Sequence, residues 1–323
     1  MRRALNVLAM SALALGACVP ELVDDTSIVT SPRLLAVRAE PAEAEPGAEV
    51  ALRGLWAASD GGAAPLGWAF CTARKPFTEP GNVDPACLVE DSPDLVAIGD
   101  GETVTGTLPD DGCRLFGPDR PTPMAGEPAG RPADPDGTGG YYQPVRVRAD
   151  GDPPAFALAQ VRIRCGLPAA TPEQAADYKA RVHANSSPAI TAITGDGAAV
   201  IALEADPTAV TTVARGATLA LRVAWPGCGT DEQPCAGAES YVWFDPDARA
   251  LVTRREAIRV TWFATAGAWA SARTGRAEAE ADQPSTENSW IAPGDVGEQR
   301  LWIVVRDDRG GATWATVRIA VAP

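Results

Sequence analysis

A single histidine, His183, stands in a chain of 323 residues that carries 42 aspartates and glutamates. A histidine triad or histidine-based zinc site needs partners converging on that imidazole, and no spacing supplies them. Its place at the end of a short helical stretch suits a surface residue that interacts with the helix dipole. No G-x-S-x-G, H-E-x-x-H, Walker or G-x-G-x-x-G run occurs. The neighbouring acids Asp110-Asp111 and Asp307-Asp308 would diverge on a strand or turn, whereas a glycosidase needs its two carboxylates facing each other across a cleft. Asp134-Pro135-Asp136-Gly137 and Asp245-Pro246-Asp247 offer oxygens to calcium, but calcium takes six to eight and the EF-hand pattern stops after Gly137. The expectation is no catalytic residue, no metal and no cofactor.

Cysteine chemistry is better represented. Apart from Cys18, the chain has Cys71, Cys87, Cys113, Cys165, Cys228 and Cys235, an even number that suits three disulfides in an exported protein. Cys228 and Cys235 are the only two in the second half and are expected to pair with each other. In the first half, Cys71–Cys87 and Cys113–Cys165 are favoured among the alternatives. Zinc would need close pairs such as C-x-x-C, and none exists.

Aromatic side chains are the remaining binding chemistry. Seven of nine tryptophans fall in the second half: Trp225, Trp243, Trp262, Trp269, Trp290, Trp302 and Trp314. Trp302 and Trp314 flank a hairpin and are expected to pair across it. Trp269 and Trp290 sit in less regular, polar segments. With Tyr141 and Tyr142, at the end of a long irregular stretch, they form the candidate binding surface for a glycan or protein partner.

The N-terminus carries its own chemistry. Arg2 and Arg3 precede a mostly apolar run from Ala4 to Leu15, too short to span a bilayer but suited to a secretory signal. It ends in Leu15-Gly16-Ala17-Cys18, which resembles the lipobox of bacterial lipoproteins. The resemblance implies removal of residues 1–17 and lipidation of Cys18, with membrane lipid as a partner through its acyl chains. Val19 follows in place of aspartate, which in that family points to the outer membrane rather than the inner.

Strands and turns must position these groups. Glycine (31) and proline (29) are abundant, aromatics are 6%, and apolar residues at 46% are enough for packed cores. The net charge of −14 argues against nucleic acid. Gly47-Ala48-Glu49-Val50-Ala51-Leu52-Arg53-Gly54-Leu55-Trp56 matches Gly216-Ala217-Thr218-Leu219-Ala220-Leu221-Arg222-Val223-Ala224-Trp225 at six of ten positions. Ala159-Gln160-Val161-Arg162-Ile163 likewise parallels Ala315-Thr316-Val317-Arg318-Ile319. Matching starts and finishes in the same order indicate a duplicated domain.

The repeated pieces alternate with period two. Leu219, Leu221, Val223 and Trp225 fall on one face, as do Ile258, Val260 and Trp262. Val145, Val147, Val161 and Ile163 oppose Arg146, Arg148, Arg162 and Arg164, expected on a solvated face. Asp307-Asp308-Arg309-Gly310-Gly311 reads as a hairpin turn. Trp68 and Trp243 are the expected interior tryptophans of the two halves. Thr171-Pro172-Glu173-Gln174 predicts a capped helix to about Val182.

These features predict an all-β protein with two tandem antiparallel Ig-like β-sandwiches joined by a short helix-containing linker. The expected divisions are a signal over 1–17, a tether over 18–31, and a first domain over 32–166 with a long insert near 107–142. A linker over 167–188 and a second domain over 189–323 follow. Of 28 basic residues only Lys75 and Lys179 are lysines, which suggests high-GC coding. Gly139-Gly140-Tyr141-Tyr142-Gln143-Pro144, Thr261-Trp262-Phe263-Ala264-Thr265-Ala266-Gly267 and Val305-Arg306-Asp307-Asp308-Arg309-Gly310-Gly311 carry a narrower likeness. On them the chain resembles outer-membrane lipoproteins of high-GC Gram-negative bacteria with tandem Ig-like or PKD-like β-sandwich domains. That resemblance implies a fold and a location but no activity. The expected function is noncatalytic binding or assembly at the envelope, with an envelope protein or glycan as partner. A carbohydrate- or peptidoglycan-binding module is the first alternative and a carboxylate hydrolase the second.

Overall fold

The computed structural model describes residues 26–62, 64–73, 83–117, 137–151, 153–167, 170–229, 232–245 and 247–323. Cys18, the signal segment and the calcium candidates Asp134 and Asp136 lie outside the described residues, as does residues 118–136 of the expected insert. The first half forms β1 (Arg33–Glu40), β2 (Glu43–Ala44), β3 (Glu49–Ala57), β4 (Leu66–Cys71), β5 (Leu95–Asp100), β6 (Thr103–Thr107), β7 (Gly140–Ala149) and β8 (Ala155–Arg164). They make two sheets, in the orders β1-β3-β6 and β2-β8-β7-β4-β5. The predicted alternation sets the layers: Val50, Leu52, Trp68, Phe70, Val145, Val147, Val161 and Ile163 fill the space between them. Trp68 keeps its indole N–H satisfied by donating to Gly101 O at 2.8 Å.

The second half repeats this plan with β9 (Ala192–Gly195), β10 (Ala198–Ala199), β11 (Thr211–Ala214), β12 (Thr218–Ala224), β13 (Ser240–Asp245), β14 (Ala250–Arg255), β15 (Ile258–Ala264), β16 (Ala268–Trp269), β17 (Arg273–Arg276), β18 (Ser285–Ile291), β19 (Gly297–Arg306) and β20 (Ala312–Ala322). Its sheets run β10-β9-β12-β18-β16 and β11-β20-β19-β15-β17. The duplication extends to one distinctive step. In both halves the opening segment pairs antiparallel with one sheet, β1 with β3 and β9 with β12. It then crosses over to run parallel to the last strand, β2 with β8 and β11 with β20. The chain is therefore a pair of Ig-like β-sandwiches.

One expectation is corrected. Trp243 is not the counterpart of Trp68. It lies on β13, which among the described strands pairs with β14 as an inserted hairpin, and it is half-buried with Arg254 5.0 Å from its ring. The counterpart is Trp262: β15 pairs with β19 as β4 pairs with β7. Trp262 is fully buried and donates to Thr274 Oγ1 at 2.9 Å.

Three disulfides close Cys71–Cys87, Cys113–Cys165 and Cys228–Cys235. Cys113 sits in the short helix α1 (Gly112–Leu115), so the second bond ties the start of the long excursion to the end of β8. In the linker, α2 (Pro172–Arg181) begins with Thr171 accepting from Gln174 N while the Gln174 side chain accepts from Thr171 N.

The two sandwiches pack side by side. Leu35, Ala36, Leu55 and Ala57 on the outer face of β1 and β3 meet Trp302 and Val304 on the outer face of β19, with Phe263 and Trp314 at the margin. Arg53 of the first domain stacks 5.5 Å from the ring of Trp314. Ser27–Val29, expected in the tether, are built into this seam. Val29 N donates to Ala264 O at 2.8 Å, Ala264 N donates to Ser27 O at 2.9 Å, and Val29 is fully buried among the seam residues. Trp302 and Trp314 do not face each other directly. Trp302 lies opposite Thr316 and Trp314 opposite Val304, so they are diagonal neighbours, and Trp302 is buried by the first domain rather than by its hairpin partner.

Candidate functional site at the domain junction

At the linker end of the seam the structure gathers a dense cluster of ionisable side chains. Glu43 and Arg162 are register partners across the parallel β2–β8 pair, with Arg162 Nε 3.4 Å from Glu43 Oε2. The β19–β20 hairpin brings Asp307 and Arg309 to the same place. Glu239 before β13 and Glu256 between β14 and β15 complete the cluster. Arg309 donates through Nε to Glu256 Oε1 at 2.7 Å and through Nη2 to Glu239 Oε1, and its Nη1 lies 3.9 Å from Glu43 Oε2. Its guanidinium also stacks 4.9 Å from the ring of Tyr241.

The linker is stitched into the same network. Asn185 N donates to Glu43 Oε2 at 2.9 Å and Ser186 N to Glu239 Oε1 at 3.0 Å. Asp307 accepts from Arg309 N at 2.9 Å, Gly311 N at 2.8 Å and the Asn185 amide at 3.2 Å. Gly311 is required there because a Cβ would run into Asp307 Oδ2. Asp308 accepts from Ala257 N, away from the partners of Asp307, so the adjacent acids diverge as a turn demands.

Four carboxyls therefore surround two guanidiniums in a region without water access, and full ionisation would leave two negative charges uncompensated. Burial pushes Glu256 well above the ordinary carboxylate range, helped by the Asp307 charge and only partly offset by Arg309. Burial likewise raises Asp307 against the bond from Gly311 N, and Glu239 against the attraction of Arg309. Burial opposes the charge on Arg309, but Glu256 and Glu239 outweigh it and hold the guanidinium protonated. Tyr178 of α2 and Tyr241 are both raised to about 12, chiefly by burial. The arrangement suits an internal tie between two domains and their linker. Its polar groups face one another, each held by an ion pair or a backbone N–H.

The chain matches no known protein family and no curated protein. Among solved structures it is similar to dimeric latent PorU from Porphyromonas gingivalis, at 11% identity and a TM-score of 0.21 over 90% of this chain and 24% of that one. It is also similar to the adhesin InvE of Yersinia pseudotuberculosis, at 11% identity and a TM-score of 0.24 over 90% of this chain and 59% of that one. For extracellular cadherin domains 3–6 of protocadherin gamma B2 the identity is 14% and the TM-score 0.19, over 91% and 51%. The sandwich assignment itself rests on the strand topology described above.

The candidate binding surface is not formed. Trp290 is fully buried in the second core and Tyr141 is buried in the first, because both fall on inward positions of regular strands, β18 and β7. Trp269 is half-buried at the sheet edge, its ring 5.2 Å from that of Trp262. Tyr142 is half-buried beneath Arg162, whose guanidinium is 5.8 Å from its ring. Of the arginine row, Arg162 is buried at the junction, whereas its repeat counterpart Arg318 stays partly exposed. Arg146 instead holds the carbonyls of Val89 and Glu90. His183 is exposed, as expected. Asp245 accepts from Asp247 N and Ala248 N, a turn role. Sequence reasoning missed Glu43, Glu239 and Glu256, which lie at the ends of elements where period-two alternation gives no signal.

Open surface features lie apart from the junction, one of them on the second domain. A groove of about 790 Å³ lies across the outer face of β9, β12 and β18, on the sheet away from the seam, lined by Thr194, Asp196, Arg222, Ser271, Glu287 and Asn288 among others. Among the described residues that line it there is no aromatic ring.

Proposed function

We propose that the protein is a lipid-anchored, noncatalytic binding or assembly component of the bacterial outer membrane. The observation that carries this reading is the weaving of Ser27–Val29 into the seam between the sandwiches. An anchor at Cys18, only nine residues upstream, would hold both domains as one unit through that segment. Extended chain covers at most about 3.3–3.6 Å per residue, so the body would stay within roughly 30 Å of its lipid. The junction carboxylates support a structural role, since each is engaged by Arg309, Arg162 or backbone N–H groups. Crosslinking in intact source cells, followed by capture through a C-terminal tag and mass spectrometry, tests the reading. Recurrent recovery of one envelope protein is expected. Turnover of an envelope polymer by the purified chain, lost on Glu256→Gln, would overturn it in favour of a hydrolase.

The groove on the second domain favours a carbohydrate-binding reading as the alternative. Its hydroxyl, amide and carboxylate groups could hold sugar hydroxyls by hydrogen bonds, without the stacking that Trp290 was expected to provide. Titration with envelope glycans, followed by chemical-shift changes at Thr194 and Ser289, separates this from protein assembly.

A further inference from the structure

Arginines in this acidic chain commonly meet a carboxylate: Arg53 pairs with Glu102, Arg164 with Glu45, Arg254 with Glu278 and Arg309 with Glu239 and Glu256. On the outer face of the second domain Arg259, Arg273 and Arg306 do not, and neither does Arg300 at the other end of β19. Arg259 and Arg306 are direct partners across the antiparallel β15–β19 pair, so their side chains leave the same face. Arg273 joins them from β17, where Gly275 is the partner of Arg259 and Arg273 stands two residues away on the same face. Among the described residues, no carboxylate lies at ion-pair distance from any of the three.

Their hydrogen-bonding capacity is also largely open. Arg306 donates through Nη2 to Leu35 O at 2.6 Å, one bond from a group with five N–H donors. No described residue accepts from the guanidinium of Arg259 or Arg273, and both side chains are exposed. Like charges directly opposite each other on a sheet destabilise it. Here the strain falls partly on Arg306, whose pKa is lowered by burial and by the charge of Arg273. Arg306 also lines a slot of about 300 Å³ between the domains, together with Leu35, Tyr142 and Gln160. Three cations on one face, with no described carboxylate at ion-pair distance, make a locally positive surface in a protein of net charge −14.

We propose that Arg259, Arg273 and Arg306 form a binding site for a phosphoryl group. One carboxylate offers a single charge and two oxygens, too little for three guanidiniums. A phosphate monoester carries nearly two charges and three equivalent oxygens, which planar guanidinium forks engage by paired hydrogen bonds. The site stands independently of the anchor at Cys18.

The test uses the Cys18→Ser chain, so that no anchor carries it to membranes. Calorimetric titration with inorganic pyrophosphate and flotation with phosphatidylcholine vesicles, with and without phosphatidic acid, distinguish a soluble from a lipid-borne phosphoryl group. Saturable, salt-sensitive binding is expected in at least one arm, weakened tenfold or more (on the order of 1.4 kcal/mol) by the double variant Arg259→Gln/Arg273→Gln. Both positions are exposed, so the variant keeps the fold. Without ligand and at low salt, its melting temperature should exceed that of the parent chain because repulsion is relieved. Absence of saturable binding in both arms, or undiminished binding by the variant, would overturn the proposal. A lower melting temperature for the unliganded variant would contradict its electrostatic premise.

Discussion

Replacing Glu256 with glutamine should change how stability depends on pH more than it changes stability at any one pH. The carboxyl is fully buried, accepts from Arg309 Nε at 2.7 Å and from Glu239 N at 3.1 Å, and lies near the Asp307 charge. Its folded-state pKa is raised well above the ordinary 4.5. A raised carboxyl contributes stability that is fully present below the unfolded pKa and is lost as pH rises through the folded value. Within that window each such group adds a slope of about 1.4 kcal/mol per pH unit. Glu256→Gln keeps an oxygen for Arg309 but cannot ionise, so its stability should fall less with pH. The two curves should therefore diverge with a slope of up to about 1.4 kcal/mol per pH unit, the limit that one proton sets. Asp307 and Glu239, also raised, leave a residual slope in the variant. Urea unfolding followed by tryptophan fluorescence, with disulfides intact, measures both slopes from about pH 5 to about pH 8. Parallel curves for the two proteins would refute the reasoning, and a steeper fall in the variant would reverse its sign.

Arg309→Ala removes the cation shared by Glu239, Glu256 and Glu43, and should cost about 3–5 kcal/mol at neutral pH in the same unfolding assay. Trp302→Ala opens the apolar seam and should cost about 3–5 kcal/mol, with calorimetry showing two separated transitions where the parent shows one. Loss of the Cys113–Cys165 bond, which spans 52 residues, should destabilise by about 4 kcal/mol, against about 2.5 for Cys228–Cys235, which spans 7. Chemical denaturation of the paired Cys→Ser variants compares them.

Much of the architecture was legible because local pattern dictates it. Leu219, Leu221 and Val223 alternate, and the residues between them face out, so β12 and its layer follow directly from the sequence. The Thr171–Gln174 capping box was legible for the same reason, being confined to four residues. Periodicity says that a segment is a strand but not which sheet it joins, and this is why Trp243 on the inserted hairpin was mistaken for the core residue Trp262. The seam did leave a signal that alternation obscured. Leu301-Trp302-Ile303-Val304-Val305 is apolar on both faces, as a strand covered on both sides must be. The junction cluster left none. Glu43 meets Arg309 only because two sandwiches pack side by side, and nothing local to either residue encodes that meeting. Trp290 looked polar-flanked in sequence, yet its neighbours Ser289 and Ile291 are simply on the outer face of β18.

The central proposal is that Cys18 anchors the two-sandwich body to the membrane. The mass of the N-terminal peptide of the protein isolated from source cells tests it most directly. The account predicts a chain beginning at Cys18 whose sulfur carries diacylglycerol, found in the membrane fraction and released from it by Cys18→Ser. A chain with an unmodified Cys18, or one that stays in the membrane fraction after Cys18→Ser, would contradict it.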